Sequence, residues 1–286
     1  MKHLFLPLCL ALSSCAPNWG GRRLAHRPDL SLSEMATHHR DRGQVFSSYQ
    51  VGGPVRWNHG WPWDLDLTGI GWSDHRTATA ITSRHVVMAD HFRLGPGDTV
   101  VFHDRKGLPH SHRIYRIVRL RDLGVPCDVA VGMLEVPLSG SIRTYPLPDL
   151  RDLPEDALVG ATAVITGHQK VVDFRRIART PGNTLGFQYL DGQSGNSLHR
   201  IIVGDSGNPS FVLSHGELIL VETHTGGGAG VGPFYGSPTL QDGIRRAIQA
   251  TDPSRSFQTV APDGTLQKEA AAGRAPTAAN SAPSRS

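Results

Sequence analysis

Short apolar, β-branched runs recur through the middle of the chain, and glycine, proline and aspartate separate them. Runs of this kind predict strands, and their number and spacing favour an all-β barrel or sandwich. The predicted strands cover residues 99–103, 114–118, 161–166, 187–190, 201–203, 211–213 and 217–221. Few stretches follow the 3.6-residue period of a helix, so we expect a mostly β domain.

One helix is predicted near the end of this region. Ser237 can cap it, and Pro238 suits its first turn. Leu240, Ile244 and Ile248 then recur every four residues and would form its apolar face.

The hexapeptide Gly-Asp-Ser-Gly-Asn-Pro at positions 204–209 directly follows the predicted strand 201–203. Gly204 and Gly207 tolerate backbone angles that are closed to other residues, so the turn can display the hydroxyl of Ser206. The amides of Gly204 and Ser206 would then point at one spot, as an oxyanion hole requires. The alternative is a plain β-turn, because these residue types are common turn formers.

A serine nucleophile needs a base and an orienting acid, and the chain offers both upstream. His91 ends the stretch Val-Val-Met-Ala-Asp-His at positions 86–91, and Asp128 begins Asp-Val-Ala-Val at 128–131. The order His, Asp, Ser in these contexts resembles the trypsin/chymotrypsin-like serine peptidases. The resemblance covers roughly residues 52–251 and makes His91 the match for the base. His85 falls where that family often has an aromatic residue or histidine at the start of the strand.

The resemblance implies two antiparallel six-stranded β-barrels with a catalytic cleft between them and a C-terminal helix. His91 and Asp128 would come from the first barrel and Ser206 from the second. His91 would act as general base, Asp128 would orient it, and the amides of Gly204 and Ser206 would bind the oxyanion. This chemistry needs no metal and no cofactor, and its partner is a protein or peptide substrate.

Two departures from the family pattern concern this turn. Asn208 replaces the second glycine of the common Gly-Asp-Ser-Gly-Gly-Pro form. Val51 opens a Val-Gly-Gly segment like the freed N-terminus of zymogen-type members, but no basic residue for a trypsin-like cut lies at positions 47–50. Activation by proteolysis is therefore not expected, and internal hydrogen bonds would satisfy Asp205.

The resemblance also indicates where the residue before the cleaved bond would bind. The pocket floor falls at Arg200, and one wall at His224, Thr225 and Gly226. A shift of one residue would place Ile201 at the floor instead. A guanidinium or imidazole facing a substrate carboxylate would favour Asp or Glu at this position.

The first 15 residues predict a signal peptide, since the apolar run 4–12 is too short to span a bilayer. The run ends in Leu-Ser-Ser-Cys, which resembles a bacterial lipobox with Cys15 as the lipidated residue. We expect a lipid-anchored protein of the bacterial cell envelope, in the outer membrane since Ala16 follows; an ordinary secretory signal is the alternative. Residues 16–44 are predicted to be a flexible tether, 45–251 the folded domain and 252–286 a disordered tail.

The charge balance argues against nucleic acid as a partner. The formal net charge of the chain is +4, but residues 45–251 hold 19 basic and 19 acidic side chains. A nucleic-acid-binding domain would carry the excess on its folded surface. Of the three cysteines only Cys127 lies in this domain, so no disulfide is expected, and we predict a small buried apolar group there. The histidine pairs 38–39 and 110/112 have no ligand set with zinc spacing nearby.

Three classes of function are compatible with the sequence. The first is a membrane-tethered serine endopeptidase. The second is a catalytically inactive protein of the same fold that binds peptides. The third is a structural envelope lipoprotein in which the three motifs coincide by chance.

The lipobox hypothesis makes a direct prediction about Cys15. Cys15→Ser should turn a membrane-associated protein into a soluble or unprocessed one, because the lipid is attached through this thiol. Fractionation of a bacterial host, with gel mobility as the measure of processing, tests it. Cys9→Ser is the matched control; membrane association of Cys15→Ser equal to that of the control would contradict the hypothesis.

Overall fold

The computed structural model describes residues 31–73, 75–154, 156–193 and 197–273. The strands are β1 Gly43–Gln44, β2 Phe46–Ser48, β3 Arg56–Trp57, β4 Ile70–Ser73, β5 Arg76–Ala80, β6 His85–Ala89, β7 Thr99–His103, β8 Pro109–Arg119, β9 Val129–Leu134, β10 Leu147–Pro148, β11 Thr162–Gly167, β12 Val171–Arg179, β13 Thr184–Gln188, β14 Pro209–Ser214, β15 Glu217–Thr223, β16 Val231–Pro233 and β17 Thr259–Val260. The α-helices are α1 Leu32–His38, α2 Pro238–Gln249 and α3 Gly264–Gly273, and the 3₁₀ helices are η1 Trp61–Asp64, η2 Asp90–Phe92, η3 Leu120–Leu123 and η4 Ser197–His199.

Strands β4 to β9 form a closed antiparallel barrel of six strands in the order β4-β5-β6-β9-β8-β7. Pairing of Trp72 with Val101 joins β4 to β7 and closes it. Alternate residues of β6 divide between two environments, as the pleat requires. Val86 and Met88 belong to the barrel interior, whereas Val87 belongs to a larger apolar cluster outside it.

The later strands form an open, half-barrel sheet in the order β15-β14-β11-β12-β13-β16, with β1 paired to β12. In the part of the chain that the structure describes, hydrogen bonds outside the regular ladders link its two edge strands. The Tyr235 amide donates to the Val221 carbonyl at 2.9 Å, and the Gly226 amide to the Val231 carbonyl at 2.9 Å. The all-β class is therefore confirmed, with one closed barrel and one half-barrel.

The largest apolar cluster packs the barrel against the half-barrel sheet. Val87 and Val131 enter it from the barrel, and Phe174 and Phe211 enter it from the sheet. Helix α2 adds Ile244 to the same cluster and contacts η3 and β9. The two sheets thus share a core, and the loops at their junction are held at fixed positions.

The predicted C-terminal helix is confirmed as α2. The Ser237 hydroxyl caps it by accepting the Leu240 amide at 3.5 Å, Pro238 is its first residue, and Leu240, Ile244 and Ile248 are buried. Six predicted strands overlap β7, β8, β11, β13, β14 and β15. The seventh, 201–203, is wrong. Only Ile201 forms a bridge, with Gly228, while Val203 is 99% exposed, because the chain leaves the sheet here to enter the Gly204 turn.

The predicted tether and tail are wrong where the structure describes them. Helix α1 starts at a Ser31 capping box and buries Leu32 and Met35 in the main cluster. Helix α3 buries Leu266 against the half-barrel sheet, and β17 pairs with β10. A few apolar residues are enough to order helices α1 and α3, because each helix packs on a sheet that other strands have already formed. Cys15 and residues 1–14 lie outside the described residues. Among the residues that the structure describes, no helix is long and apolar enough to cross a membrane.

Candidate active site

Two neighbouring barrel strands bring His91 and Asp128 together. Strand β6 pairs with β9 through Ala89 and Val129, and the chain continues from β6 into η2, which carries His91. Asp128 directly precedes β9, so the same pairing places it opposite η2. The ladder continues one step further, because the Asp90 amide donates to the Asp128 carbonyl at 3.2 Å.

The three predicted catalytic side chains form one hydrogen-bonded chain. His91 Nδ1 lies 2.5 Å from Asp128 Oδ2, and His91 Nε2 lies 2.9 Å from Ser206 Oγ. The second carboxylate oxygen, Asp128 Oδ1, accepts the His91 backbone amide at 2.9 Å, which fixes the carboxylate against the ring. Donation from Nδ1 to the carboxylate leaves Nε2 as the acceptor for the serine hydroxyl.

Ser206 sits in the turn that precedes β14 of the half-barrel sheet. Gly204 has φ +101° and Gly207 φ +87°, conformations that side chains rarely adopt. Among the described residues, nothing accepts a hydrogen bond from the amides of Gly204 or Ser206. Both amides are therefore available to an oxygen bound beside the Ser206 hydroxyl.

Asp205 is buried and takes its partners from inside the chain. Its Oδ1 accepts the backbone amide of His168 at 2.8 Å and lies 2.7 Å from His168 Nδ1. Its Oδ2 accepts the Ile202 amide at 2.8 Å. The Val51 segment lies in an exposed turn between β2 and β3, with Val51 60% exposed.

Asn208, the departure from the family pattern, ties this turn to the barrel. The side chain is fully buried; its Nδ2 donates to the Asp205 carbonyl at 3.0 Å, and its Oδ1 accepts the Thr77 hydroxyl at 3.2 Å. Thr77 belongs to β5 of the barrel. A glycine here would lack both bonds, so the amide side chain has a structural reason.

A cleft of about 640 Å³ opens beside His91 and Ser206 and includes all four residues predicted to form a substrate pocket. Arg200, His224, Thr225 and Gly226 line it. Arg200 is exposed at its rim, whereas His224 is fully buried. Ile201, the alternative floor residue, also lines the cleft and is 6% exposed.

A buried carboxylate that the sequence analysis did not single out lies behind His224. Glu222 is fully buried, and its Oε1 and Oε2 lie 3.1 and 3.0 Å from His224 Nδ1. Ser210 Oγ donates to Oε2 at 2.7 Å. Within the described residues His224 Nε2 is buried and has no hydrogen-bond partner. Strand alternation puts residues 222 and 224 on one face, which is the only sequence signal for this pair.

A second buried carboxylate, Asp90, precedes His91 and was likewise missed. Arg93 Nη1 and Arg119 Nε each lie 3.0 Å from its Oδ1, and Arg121 Nη2 contacts Oδ2. Arg121 Nη2 also lies 3.8 Å from Asp128 Oδ1. The three guanidinium groups compensate Asp90 and join η2, the end of β8 and η3 beneath His91.

His85 occupies a structural position. It is fully buried in β6, with Nδ1 2.9 Å from the Thr82 hydroxyl and Nε2 3.0 Å from the Thr251 hydroxyl. Burial lowers the pKa of His85 to about 4. Both ring nitrogens are engaged away from Ser206, so the structure brings His91 and not His85 to the serine.

Cys127, next to Asp128, packs partly buried against the main apolar cluster and is free. Burial raises the pKa of its thiol to about 11, so the thiol stays protonated at neutral pH. In the part of the chain that the structure describes, no three His, Cys, Asp or Glu side chains gather as metal ligands.

Comparison with known proteins adds no family to these observations. No protein-family model matches the chain, and no curated protein matches it significantly. The chemistry therefore has to be inferred from the residues and their geometry.

The buried His85 predicts a pH dependence of stability. Its folded pKa lies below the ordinary value of 6.5, so between pH 6.5 and about 4 the unfolded chain binds a proton that the folded chain does not. The free energy of unfolding should therefore fall as the pH falls through this window. In His85→Gln the fall should be smaller, although His103 and His112, with pKa values also lowered by burial, still contribute.

Urea unfolding at pH 7, 5.5 and 4.5 measures this slope. His38→Gln, at an exposed helix end, is the matched control. Equal slopes for the two variants would contradict the role given to His85.

Proposed function

We propose that the protein is a serine endopeptidase that cleaves peptide bonds through an acyl-enzyme. The observation that carries the proposal is the position of His91, 2.9 Å from the Ser206 hydroxyl and 2.5 Å from the Asp128 carboxylate. A hydroxyl, an imidazole and a carboxylate linked in this order are the parts that nucleophilic acyl transfer needs. The free amides beside Ser206 add an oxyanion site.

Each residue then has a defined role in the two half-reactions. Ser206 Oγ attacks the peptide carbonyl and its proton passes to His91 Nε2, while Asp128 stabilises the imidazolium that forms. The amides of Gly204 and Ser206 donate to the oxyanion; one such donor is worth about 3 kcal/mol. His91 returns the proton to the departing amine, and water, activated by the same imidazole, hydrolyses the ester.

The architecture supports a chymotrypsin-like arrangement. The closed barrel carries His91 and Asp128 at the ends of adjacent strands, and the half-barrel sheet carries Ser206. The substrate cleft runs past Ser206 between Ile201 and the segment at Gly226. A cleft open to solvent beside the serine suits an extended peptide, which is why an endopeptidase is preferred to an esterase of small molecules.

We place this activity at the bacterial cell envelope, where a lipid on Cys15 would hold the domain at the membrane. The proposal for location rests on the lipobox-like segment alone. Labelling of the serine separates the endopeptidase from the two other functions, which are a catalytically inactive peptide-binding protein of the same fold and a structural envelope lipoprotein.

The charge of the pocket refines the expected cleavage preference. The fully buried Glu222 carboxylate lies against His224 and would offset a positive charge on the imidazole, so this pair does not give the pocket a net positive charge. His224 Nε2 has no hydrogen-bond partner among the described residues and is the atom of the pair left for a polar substrate side chain. Arg200 is exposed, and solvent screens its charge. We expect a neutral acceptor such as Gln to bind at least as well as Glu.

A fluorophosphonate probe tests whether Ser206 is an activated nucleophile. In the reaction Ser206 Oγ bonds to phosphorus, fluoride leaves and His91 takes the proton, so the wild type should be labelled. Ser206→Ala should not be labelled, and His91→Ala should react at least about 10⁴-fold more slowly. His85→Gln should keep most of the rate, and Ser139→Ala, at an exposed serine, is the control. An unlabelled wild type would favour an inactive protein.

Peptides that differ only in the residue before the cleaved bond test the pocket. We expect kcat/KM for Gln to exceed that for Leu by about tenfold or more, because an apolar side chain leaves the buried His224 Nε2 without a hydrogen-bond partner. Glu should not exceed Gln, and His224→Ala should abolish the difference between Gln and Leu. A strong preference for Glu would show that Arg200 dominates, and unchanged preferences in His224→Ala would exclude the imidazole as the determinant.

A further inference from the structure

Asp205 is a buried carboxylate joined directly to the proposed nucleophile. It is 3% exposed, and three donors surround it: the His168 amide and Nδ1 on Oδ1, and the Ile202 amide on Oδ2. Among the ion pairs of the described residues, the imidazole of His168 is its one ionisable partner. A buried carboxylate without a partner is costly, so the backbone around Asp205 has to follow these donors.

His168 is itself held at a fixed point of the half-barrel sheet. It follows Gly167 at the end of β11, in the tight turn to β12, where the Lys170 amide donates to the Gly167 carbonyl at 2.8 Å. A Cβ at Gly167 would lie 3.1 Å from Asp205 Oδ1. The missing side chain at this position lets the hairpin approach the carboxylate closely enough for both His168 donors to reach it.

The imidazole of His168 also lies close to Gly204, a residue of the turn whose backbone conformation suits glycine. A Cβ at Gly204 would lie 3.6 Å from His168 Cγ and Nδ1, so the ring packs beneath Gly204, which has φ +101°. One side chain therefore anchors the carboxylate before Ser206 and supports the residue whose amide faces the oxyanion. Both contacts act on the segment 202–206, whose amides at 204 and 206 have no acceptor among the described residues.

We propose that His168 is a positioning residue that holds the 202–206 turn in the conformation that directs the Gly204 and Ser206 amides at the oxyanion. The inference rests on the proposed serine hydrolase function and adds the residue that assembles its oxyanion site. Because the partner of Asp205 comes from an internal hairpin, the uncut chain is competent, and no new chain end is required.

His168→Ala tests the proposal, with His168→Asn as the conservative variant. Alanine keeps the backbone amide but loses Nδ1 and the ring; the side-chain amide of asparagine can donate from nearly the same place as Nδ1. Loss of one hydrogen bond to a charged group predicts a fall in kcat of about 10- to 100-fold. KM for the best peptide of the panel should stay within about threefold, since the turn acts on the transition state.

His168→Asn should restore kcat to within about threefold of the wild type, which a purely steric role for the ring would not allow. The affinity of a peptidyl boronate, whose oxygen occupies the oxyanion site, should fall in parallel with kcat. His110→Ala, which removes a histidine paired with Asp104 on the barrel, is the matched control and should leave kcat unchanged. An unaltered kcat in His168→Ala, or a loss confined to KM, would overturn the proposal.

Hydrogen exchange separates this inference from the proposed function. The Ile202 amide donates to Asp205 Oδ2, and its exchange should become at least about tenfold faster in His168→Ala. If the wild type does not react with the fluorophosphonate, the proposed function fails and the exchange result alone decides the structural role of His168. If the wild type reacts and both kcat and exchange are unchanged in His168→Ala, the positioning role alone is wrong.

Discussion

The packing of the closed barrel on the half-barrel sheet is the constraint on which the site depends. His91 and Asp128 belong to one sheet and Ser206 to the other, so the 2.9 Å bond between imidazole and hydroxyl spans the boundary. Catalysis by proximity requires the reacting groups to keep their positions to within a fraction of an ångström. The shared apolar cluster holds the barrel and the half-barrel sheet rigidly together. The Thr77–Asn208 hydrogen bond links them a second time, next to the serine.

Buried ion pairs fix the loops around the cleft in a domain whose described cysteine is free. Each carboxylate in this set is nearly or fully buried and has a cationic or ionisable partner. The pairs are Asp90 with Arg93, Arg119 and Arg121, Asp173 with Arg175 and His199, Asp205 with His168, and Glu222 with His224. Such pairs add little net stability compared with apolar side chains, but breaking one is costly. Because their hydrogen bonds are directional, these pairs favour one conformation of the neighbouring backbone more strongly than apolar contacts would.

Local signals in the sequence were enough for six of the seventeen strands that the structure describes, for helix α2 and for the three side chains of the site. Those features depend on alternation, capping and short motifs, which a single segment contains. Glu222 and His168 could not be identified in this way, because their meaning comes from partners on other strands. The run 201–203 has strand-like residues, but its conformation is set by the turn at Gly204 and by the bridge between Ile201 and Gly228. Helices α1 and α3 are too poor in apolar residues to be expected without the sheet that they cover.

The meeting of α1 with α3 bears on the order in which the chain acquires its structure. The Ser33 amide donates to Glu269 Oε1 at 3.3 Å, a contact across 236 positions of sequence. Contacts of such long range form late, because the loop that they close is large. The strands of the closed barrel all come from residues 70–134, so the barrel can form without contacts of such long range. The half-barrel sheet takes β1 from residues 43–44 and its other strands from residues 162–233, so the sheet that carries the Ser206 turn is completed later along the chain than the barrel.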